Sequence, residues 1–328
     1  MTTWQGRKVL VTGGEGFIGS TLVKRLVREG ASVRALVHYN PFGRAGWLDP
    51  QTHPEVEVVP GDVRDAERVF DAVNGCEVVF HLAALIGIPY SYVAPESYIQ
   101  VNITGTHHVA RACLRAGVAR LVHTSTSEAY GTARQVPIAE DHPLQPQSPY
   151  SASKIGGDMM ALSFFHAFEL PVAVVRPFNT YGPRQSTRAV IPTILSQLHA
   201  GATDISLGST SPTRDFNYVD DTVSGFLAVA GCDRAVGEAV NIGSGREISI
   251  GDLVATLISI TGSNARVVTD PDRLRPPGSE VQRLLCDNRR AREWAGWAPE
   301  VSLEEGLART SEWVARHHAD LATGGYAV

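Results

Sequence analysis

The chain has 328 residues, 43% of them hydrophobic and 19% charged, with a net charge of -5. That length buries a sizeable core, in one large domain or two interlocked ones. The mild negative balance excludes a nonspecific nucleic-acid binder, and it means that an anionic ligand has to be met by local arginines.

The amino terminus runs straight into the strand-like Lys8-Val9-Leu10-Val11, with no signal-peptide pattern, and no apolar run is long enough to cross a bilayer. Short β-branched runs then predict strands at 8–12, 32–37, 56–59, 76–82, 120–125 and 171–176. Helical patterns lie between them. In 17–29, Phe17, Ile18, Leu22, Leu26 and Val27 share one face, and Gly30 supplies the stop. This alternation predicts an α/β fold with a doubly wound parallel sheet of Rossmann type. After residue 178 the rhythm breaks, and a helix near 220–230 with a strand near 238–242 rejoins the first unit. The expected division is therefore 1–178 plus 215–242 for the sheet domain. A smaller, interleaved C-terminal α/β lobe takes 179–214 plus 243–328. Cys76, Cys113, Cys232 and Cys286 show no paired spacing and read as buried, reduced thiols of a cytoplasmic protein. The eleven histidines, including His107-His108 and His317-His318, show no zinc-ligand spacing, so no metal site is expected.

Thr12-Gly13-Gly14-Glu15-Gly16-Phe17-Ile18-Gly19 joins the first strand to the first helix. Glycines permit a tight turn and let backbone N–H groups approach phosphate oxygens at a helix N-terminus, the pattern of a dinucleotide cradle. The acid that usually ends the second strand and binds the adenosine ribose is missing: Val37 or His38 stands there. His38 or Arg44 would tolerate a 2′-phosphate, or neither discriminates, so NAD and NADP both remain open. Asp62, after the third strand, reads as an adenine contact or as an ordinary N-cap.

At the fifth strand end, Thr126 and Glu128 lie where ligands bind in open α/β sheets, beyond the carboxyl ends of the strands. Thr126 can hydrogen-bond a substrate hydroxyl. Glu128 can abstract a proton acidified by a neighbouring ketone, or act as a hinge residue bonded to backbone. Ser148-Pro149-Tyr150 predicts a helix start, which sets Tyr150 and Lys154 at i and i+4 on one face. A free phenol titrates near ~10 and is a poor base at neutral pH. Lowering it by roughly three units takes about 4 kcal/mol, which a nearby ammonium and an oxidised nicotinamide can supply.

These residues closely resemble the extended short-chain dehydrogenase/reductase family that modifies nucleotide sugars. The likeness spans nearly the whole chain. It includes the glycine turn, His81-Leu82-Ala83-Ala84, Asn102 in Val101-Asn102-Ile103-Thr104, Tyr150 with Lys154, Arg176-Pro177-Phe178-Asn179, Arg214-Asp215-Phe216 and Gly296-Trp297. Thr126-Ser127-Glu128 and Arg275-Pro276 with Glu280-Val281 resemble the GDP-mannose 4,6-dehydratase type. Ala84 to Tyr92 looks like dehydratases of activated amino sugars in nonulosonate synthesis.

The resemblance implies a tightly held NAD or NADP recycled within each turnover. Its contacts would be Gly13, Gly16, Phe17, Ile18, Gly19, His38, Asp62, Val63, Leu82, Ala83, Ala84, Asn102 and Pro177, with Tyr150 and Lys154. Tyr150 would deprotonate the sugar 4-hydroxyl as hydride leaves C4, Thr126 orienting it and Lys154 holding phenolate and ribose. Glu128 would remove the C5 proton, water would leave from C6, and hydride would return there. A 4-epimerase or a nucleotide-glucuronate decarboxylase could use the same scaffold, as could a catalytically silent dinucleotide sensor. Asn179, Arg214 and Arg275 would hold the substrate diphosphate, arginine matching phosphate with a paired fork. Arg184 and Arg188 are further candidates, and Val190 opens a helix resembling the base-contacting one. Tyr90 and Tyr92 read as sugar contacts or core. Helices near 101–117 and 150–168 would pair across a homodimer as a four-helix bundle, or pack internally.

Overall fold

In the computed structural model, which describes residues 3–40, 45–48 and 53–321, the first half of the chain alternates strand and helix. The elements are β1 (Lys8–Thr12), α1 (Phe17–Arg28), β2 (Ser32–His38), β3 (Glu57–Gly61), α2 (Ala66–Val73) and β4 (Val78–His81). Two short helices, α3 (Ile88–Val93) and α4 (Pro95–Tyr98), lead through a π-helical stretch Ile99–Thr104 into α5 (Gly105–Ala116). Then follow β5 (Arg120–Thr124), α6 (Pro149–Phe168) and β6 (Val172–Pro177). The later elements are β7 (Asn179–Tyr181), α7 (Val190–His199), β8 (Asp204–Leu207), β9 (Thr213–Tyr218), α8 (Val219–Ala230) and β10 (Ala239–Ile242). Last come β11 (Glu247–Ser249), α9 (Ile250–Thr261), β12 (Arg266–Thr269), α10 (Arg289–Ala295) and α11 (Leu303–Leu321).

The main sheet has seven parallel strands in the order β10-β6-β5-β4-β1-β2-β3. The expected doubly wound sheet is thus present, and the strand near 238–242 joins its edge as β10. The order reverses between β1 and β4, so a crevice opens there at the carboxyl ends of the strands. Both faces are buried, and β1 shows why its run is apolar throughout. Val9 and Val11 face a core with α1 and α8, whereas Leu10 faces the one under α2, α5 and α6. Each such side chain fully buried is worth roughly 1.5–3 kcal/mol. α1 ends where expected: Glu29 caps it and Gly30 takes φ +84°, a left-handed turn that glycine adopts without strain. All four cysteines are buried and unpaired.

A second core gathers Tyr181, Ile194, Leu198, Phe216, Leu253 and Leu307. It is built on two small sheets, β11-β9-β7 and β12-β8. The expected boundary between 214 and 215 falls inside β9, whose Phe216 and Tyr218 pack in this second core, while α8 returns to the first. Trp297 ties the late chain to α8: its indole N–H donates to the Asp221 carbonyl at 3.1 Å, and the Asp221 carboxylate accepts from the Glu300 and Val301 amides. Among the described residues no helix is long and apolar enough to cross a membrane.

Candidate active site

The glycine turn lies at the sheet's reversal point. Gly13 has φ +68°, and a Cβ there would come within 2.9 Å of the Ala83 backbone. At Gly19 a Cβ would meet the Gly13 carbonyl oxygen at 2.1 Å. Gly16 is exposed and caps α1 without any side-chain bond, so the first-turn N–H groups of Phe17 and Ile18 remain for a ligand. A cradle that closes on itself except where donors face outward fits a pyrophosphate. Leu82 to Ala84 seal it: the Leu82 amide donates to the Thr12 carbonyl at 3.2 Å and the Ala83 amide to Thr12 Oγ1 at 3.1 Å. Thr12 Oγ1 also meets His81 Nδ1 at 2.8 Å, and burial holds His81 well below its ordinary pKa, hence neutral.

Three of the expected contacts have partners within the chain. Asn102 is 1% exposed, and its amide is engaged on both sides, with Leu85 N–H and C=O at 2.9 Å each and with Ser153 Oγ at 2.9 Å. It braces the loop after β4 against α6. Asp62 is not the helix cap; Asp65 is, accepting from the Arg68 amide. Asp62 instead binds the Arg64 guanidinium with both oxygens, which together with the Arg64 amide bond holds its carboxyl low despite partial burial. His38 points its Nε2 at Asp62 Oδ2, 3.7 Å away. Arg44 lies outside the described residues. Val63 packs in the α2/α5 core and touches Gly105, and Pro177 ends β6 beside β10.

Tyr150 enters on the first turn of α6. Ser148 and Ser151 form a reciprocal cap and Pro149 fixes the first helical φ, so the start read from Ser148-Pro149-Tyr150 is present. Tyr150, Lys154 and Asp158 recur at four-residue intervals on the face turned toward the end of β5. Lys154 Nζ donates to the Thr124 carbonyl at 2.5 Å. Burial pulls the Lys154 ammonium down to about 8, with Asp158 opposing. In the protein without a dinucleotide, burial raises the Tyr150 phenol, the Thr126 hydroxyl opposes this, and the Glu128 charge raises it further. The protein alone therefore keeps the phenol protonated. The spacing of Tyr150 and Lys154 revealed the ammonium but not the desolvation that outweighs it.

Thr126 and Glu128 sit on a single 3₁₀ turn, where Thr126 Oγ1 accepts the Glu128 amide at 3.2 Å. Both are 8% exposed, as is Tyr150. The charge of the Glu128 carboxylate is felt by both the Tyr150 phenol and the β9 arginine Arg214. Behind this front is a buried network that the sequence reading missed. Asp158 accepts from Ser125 Oγ at 2.5 Å and from Arg176 Nη2 at 3.0 Å, and lies 3.2 Å from His123 Nε2. Arg176 in turn donates to the Tyr130 hydroxyl at 2.7 Å. The i+4 step from Lys154 to Asp158 was the available signal.

On the other lobe, Arg214 and Arg275 converge on one carboxylate. Their Nη atoms lie 3.1 Å and 3.6 Å from Glu280 Oε1, and Arg275 Nη1 is buried without a hydrogen bond. Asn179 Oδ1 is likewise buried and unpartnered; a half-turn of that amide presents its N–H groups instead. Arg184 is not with this pair. It adopts φ +73° and reaches Ser20 of α1 at 3.3 Å. Val190 opens α7 and packs on the second core, with Arg188 just before it. Tyr92 crosses to Ser279 with a 2.6 Å hydroxyl contact, and Tyr90 lies against Tyr98, whose ring meets Tyr150 edge-on at 6.3 Å.

A parallel sheet with a glycine cradle at its reversal point, and a tyrosine and lysine on the adjoining helix, define a short-chain dehydrogenase/reductase of the extended type. A family model described as GDP-mannose 4,6 dehydratase matches residues 10–310. A UDP-glucose 4-epimerase of Mycolicibacterium smegmatis is 38% identical over 93% of this chain and 98% of its own. A dTDP-glucose 4,6-dehydratase of Streptomyces griseus is 35% identical over 95% of each. The structure of DesIV, a dTDP-glucose 4,6-dehydratase of Streptomyces venezuelae with NAD and TYD bound, superposes with a TM-score of 0.86. It is 31% identical over 96% of this chain and 99% of that one. The chain belongs to the family of nucleotide-sugar 4,6-dehydratases and epimerases, and is an enzyme of that class.

Proposed function

We propose that the protein is an NAD(P)-dependent nucleotide-sugar 4,6-dehydratase. The observation that supports this reading is the Glu128 carboxylate, buried on the same turn as Thr126 at the end of β5, with its charge felt by Tyr150 and Arg214. A bound dinucleotide supplies a hydride acceptor that returns what it takes within one turnover.

The remaining work falls to the chain. Arg214, Arg275 and Asn179 hold the diphosphate, so that binding energy from the remote nucleotide positions the sugar. Thr126 orients the 4-hydroxyl and Tyr150 removes its proton, becoming basic only when positive charge arrives beside it. Lys154, anchored on Thr124, fixes the phenolate and a ribose hydroxyl. Glu128 then takes the C5 proton and passes it to the departing C6 hydroxyl, which leaves as water. The diphosphate displaces Glu280 from the arginine pair or shares it.

A second reading, 4-epimerisation, is favoured by the name of the 38% identical relative; it needs no base at C5. The two readings part on product mass. Incubation with a panel of UDP-, GDP-, dTDP- and CDP-sugars is expected to yield a product lighter by one water. An isomer of unchanged mass would establish epimerisation, and loss of CO2 a decarboxylase. We also read the protein as a cytoplasmic homodimer. The free thiols support the first point; the exposed Met159 and Phe168 on α6, which packs beside α5, support the second.

A further inference from the structure

The end of β2 carries no carboxylate for the adenosine ribose, yet the structure brings one there from another element. Glu15 stands inside the glycine turn, and its Oε1 accepts the backbone N–H of His38 at 2.8 Å. Reaching that amide lays the carboxylate over the carboxyl end of β2, the place from which a β2 acid would project. The chain closes behind it. The Trp47 amide donates to the Glu15 carbonyl at 3.0 Å, and a Cβ on Gly46 would lie 2.5 Å from that same oxygen. The second carboxylate oxygen, Oε2, is buried with no hydrogen-bond partner. A buried carboxylate oxygen without a donor is costly, so this corner is built for a donor that arrives with a ligand. In the turn that cradles a pyrophosphate, the donors that a dinucleotide brings to the β2 side are its ribose hydroxyls.

We propose that Glu15 is the ribose-binding acid of this protein and makes it select NAD over NADP. A 2′-phosphate would set its negative charge against Glu15 and remove the hydroxyl donor at the same position. Among the described residues, the cations next to β2 are turned to another carboxylate. The Arg64 guanidinium lies on both oxygens of Asp62, with Nε 3.0 Å from Oδ1 and Nη2 2.6 Å from Oδ2, and His38 Nε2 also faces Asp62. Among the described residues, Glu15 therefore adds a negative charge to a corner where Arg64 and His38 already face Asp62. The assignment rests on the dinucleotide reading of the cradle and goes beyond it by naming which dinucleotide.

The test uses the purified protein with whatever cofactor it carries. It is incubated with equimolar NAD and NADP, desalted, and the retained dinucleotides are released by acid and quantified by mass spectrometry. The wild-type protein is expected to retain NAD in roughly tenfold or greater excess over NADP. Glu15→Gln keeps the acceptor for His38 and removes the charge, so the ratio should fall by about tenfold. A melting curve confirms that the variant is folded. Should it not fold, the unmutated protein gives an independent readout: 2′-deoxy-NAD should be retained about tenfold less well than NAD. Equal retention of NAD and NADP, an unchanged ratio in folded Glu15→Gln, or indifference to the 2′-hydroxyl would each overturn the assignment. Retention of neither dinucleotide would remove the cradle reading and this one with it.

Discussion

On the dehydratase reading, Glu128→Gln should separate oxidation from elimination. The substitution preserves shape, and the bond that holds the turn uses the backbone: Thr126 Oγ1 accepts the Glu128 amide, not its side chain. What changes is a charge and a base. The charge of Glu128 pushes the Tyr150 phenol up, so its removal makes phenolate easier to reach. Reduced nicotinamide should then form at least as readily as in the wild type, and the acid limb of that step should move to lower pH. Removal of the base acts oppositely on the next step. A positioned general base contributes about a hundred- to ten-thousandfold, or roughly 3–5 kcal/mol of barrier. Stopped-flow absorbance of the reduced cofactor, run beside product mass on the same samples, is expected to show rapid reduction followed by a stall. Dehydration at the wild-type rate would refute the role of Glu128. A variant that never reduces its cofactor would refute the separation of the two steps.

Tyr150→Phe should abolish cofactor reduction in the same assay while shifting stability by only about 1 kcal/mol, since it removes one hydroxyl and its bond to Thr126. Asp158 gives a pH signature. Burial opposes its ionisation, but the His123 hydrogen bond and the Arg176 charge prevail and hold its carboxyl at about 2. A carboxyl depressed on folding stabilises above its unfolded pKa and loses that contribution as pH falls from about 4 toward 2, here roughly 2–3 kcal/mol. Denaturant titrations across that window should show this slope in the wild type and not in Asp158→Asn. At pH 7 the variant should be less stable by about 3–5 kcal/mol, because Arg176 stays buried without its partner. An identical acid slope in both proteins would dismiss Asp158 as its source. Gly19→Ala drives a Cβ to 2.1 Å from the Gly13 carbonyl and should cost about 1–3 kcal/mol together with dinucleotide retention, read by melting and by cofactor release.

The parts of this enzyme that could be read from its sequence are those whose signals are local. β1, β2 and β5 announce themselves as short β-branched runs, α1 by its spacing and Gly30, and the Tyr150–Lys154 pair by one helical turn. Contacts that join distant segments left no such trace. Arg214 meets Glu280 across 66 residues, and the Asp158 network needs β5, α6 and β6 already assembled. The π-helical stretch at Ile99–Thr104 has no composition of its own. The protonated state of Tyr150 escaped for a different reason: a sequence shows charges, whereas burial depends on the finished fold. Glu15 was visible as the polar residue within the glycine turn, but its meaning required the hydrogen bond to His38.

The opening turn of α1 belongs to two cores at once. Ile18 packs under both lobes and Phe17 under the second, while Trp47 meets Trp313 of the last helix edge-on at 5.5 Å. Whatever steadies that turn steadies the footing of the second lobe as well. Loss of a bound dinucleotide should therefore loosen that lobe too, and resistance to heat should track cofactor occupancy more than the strength of either half.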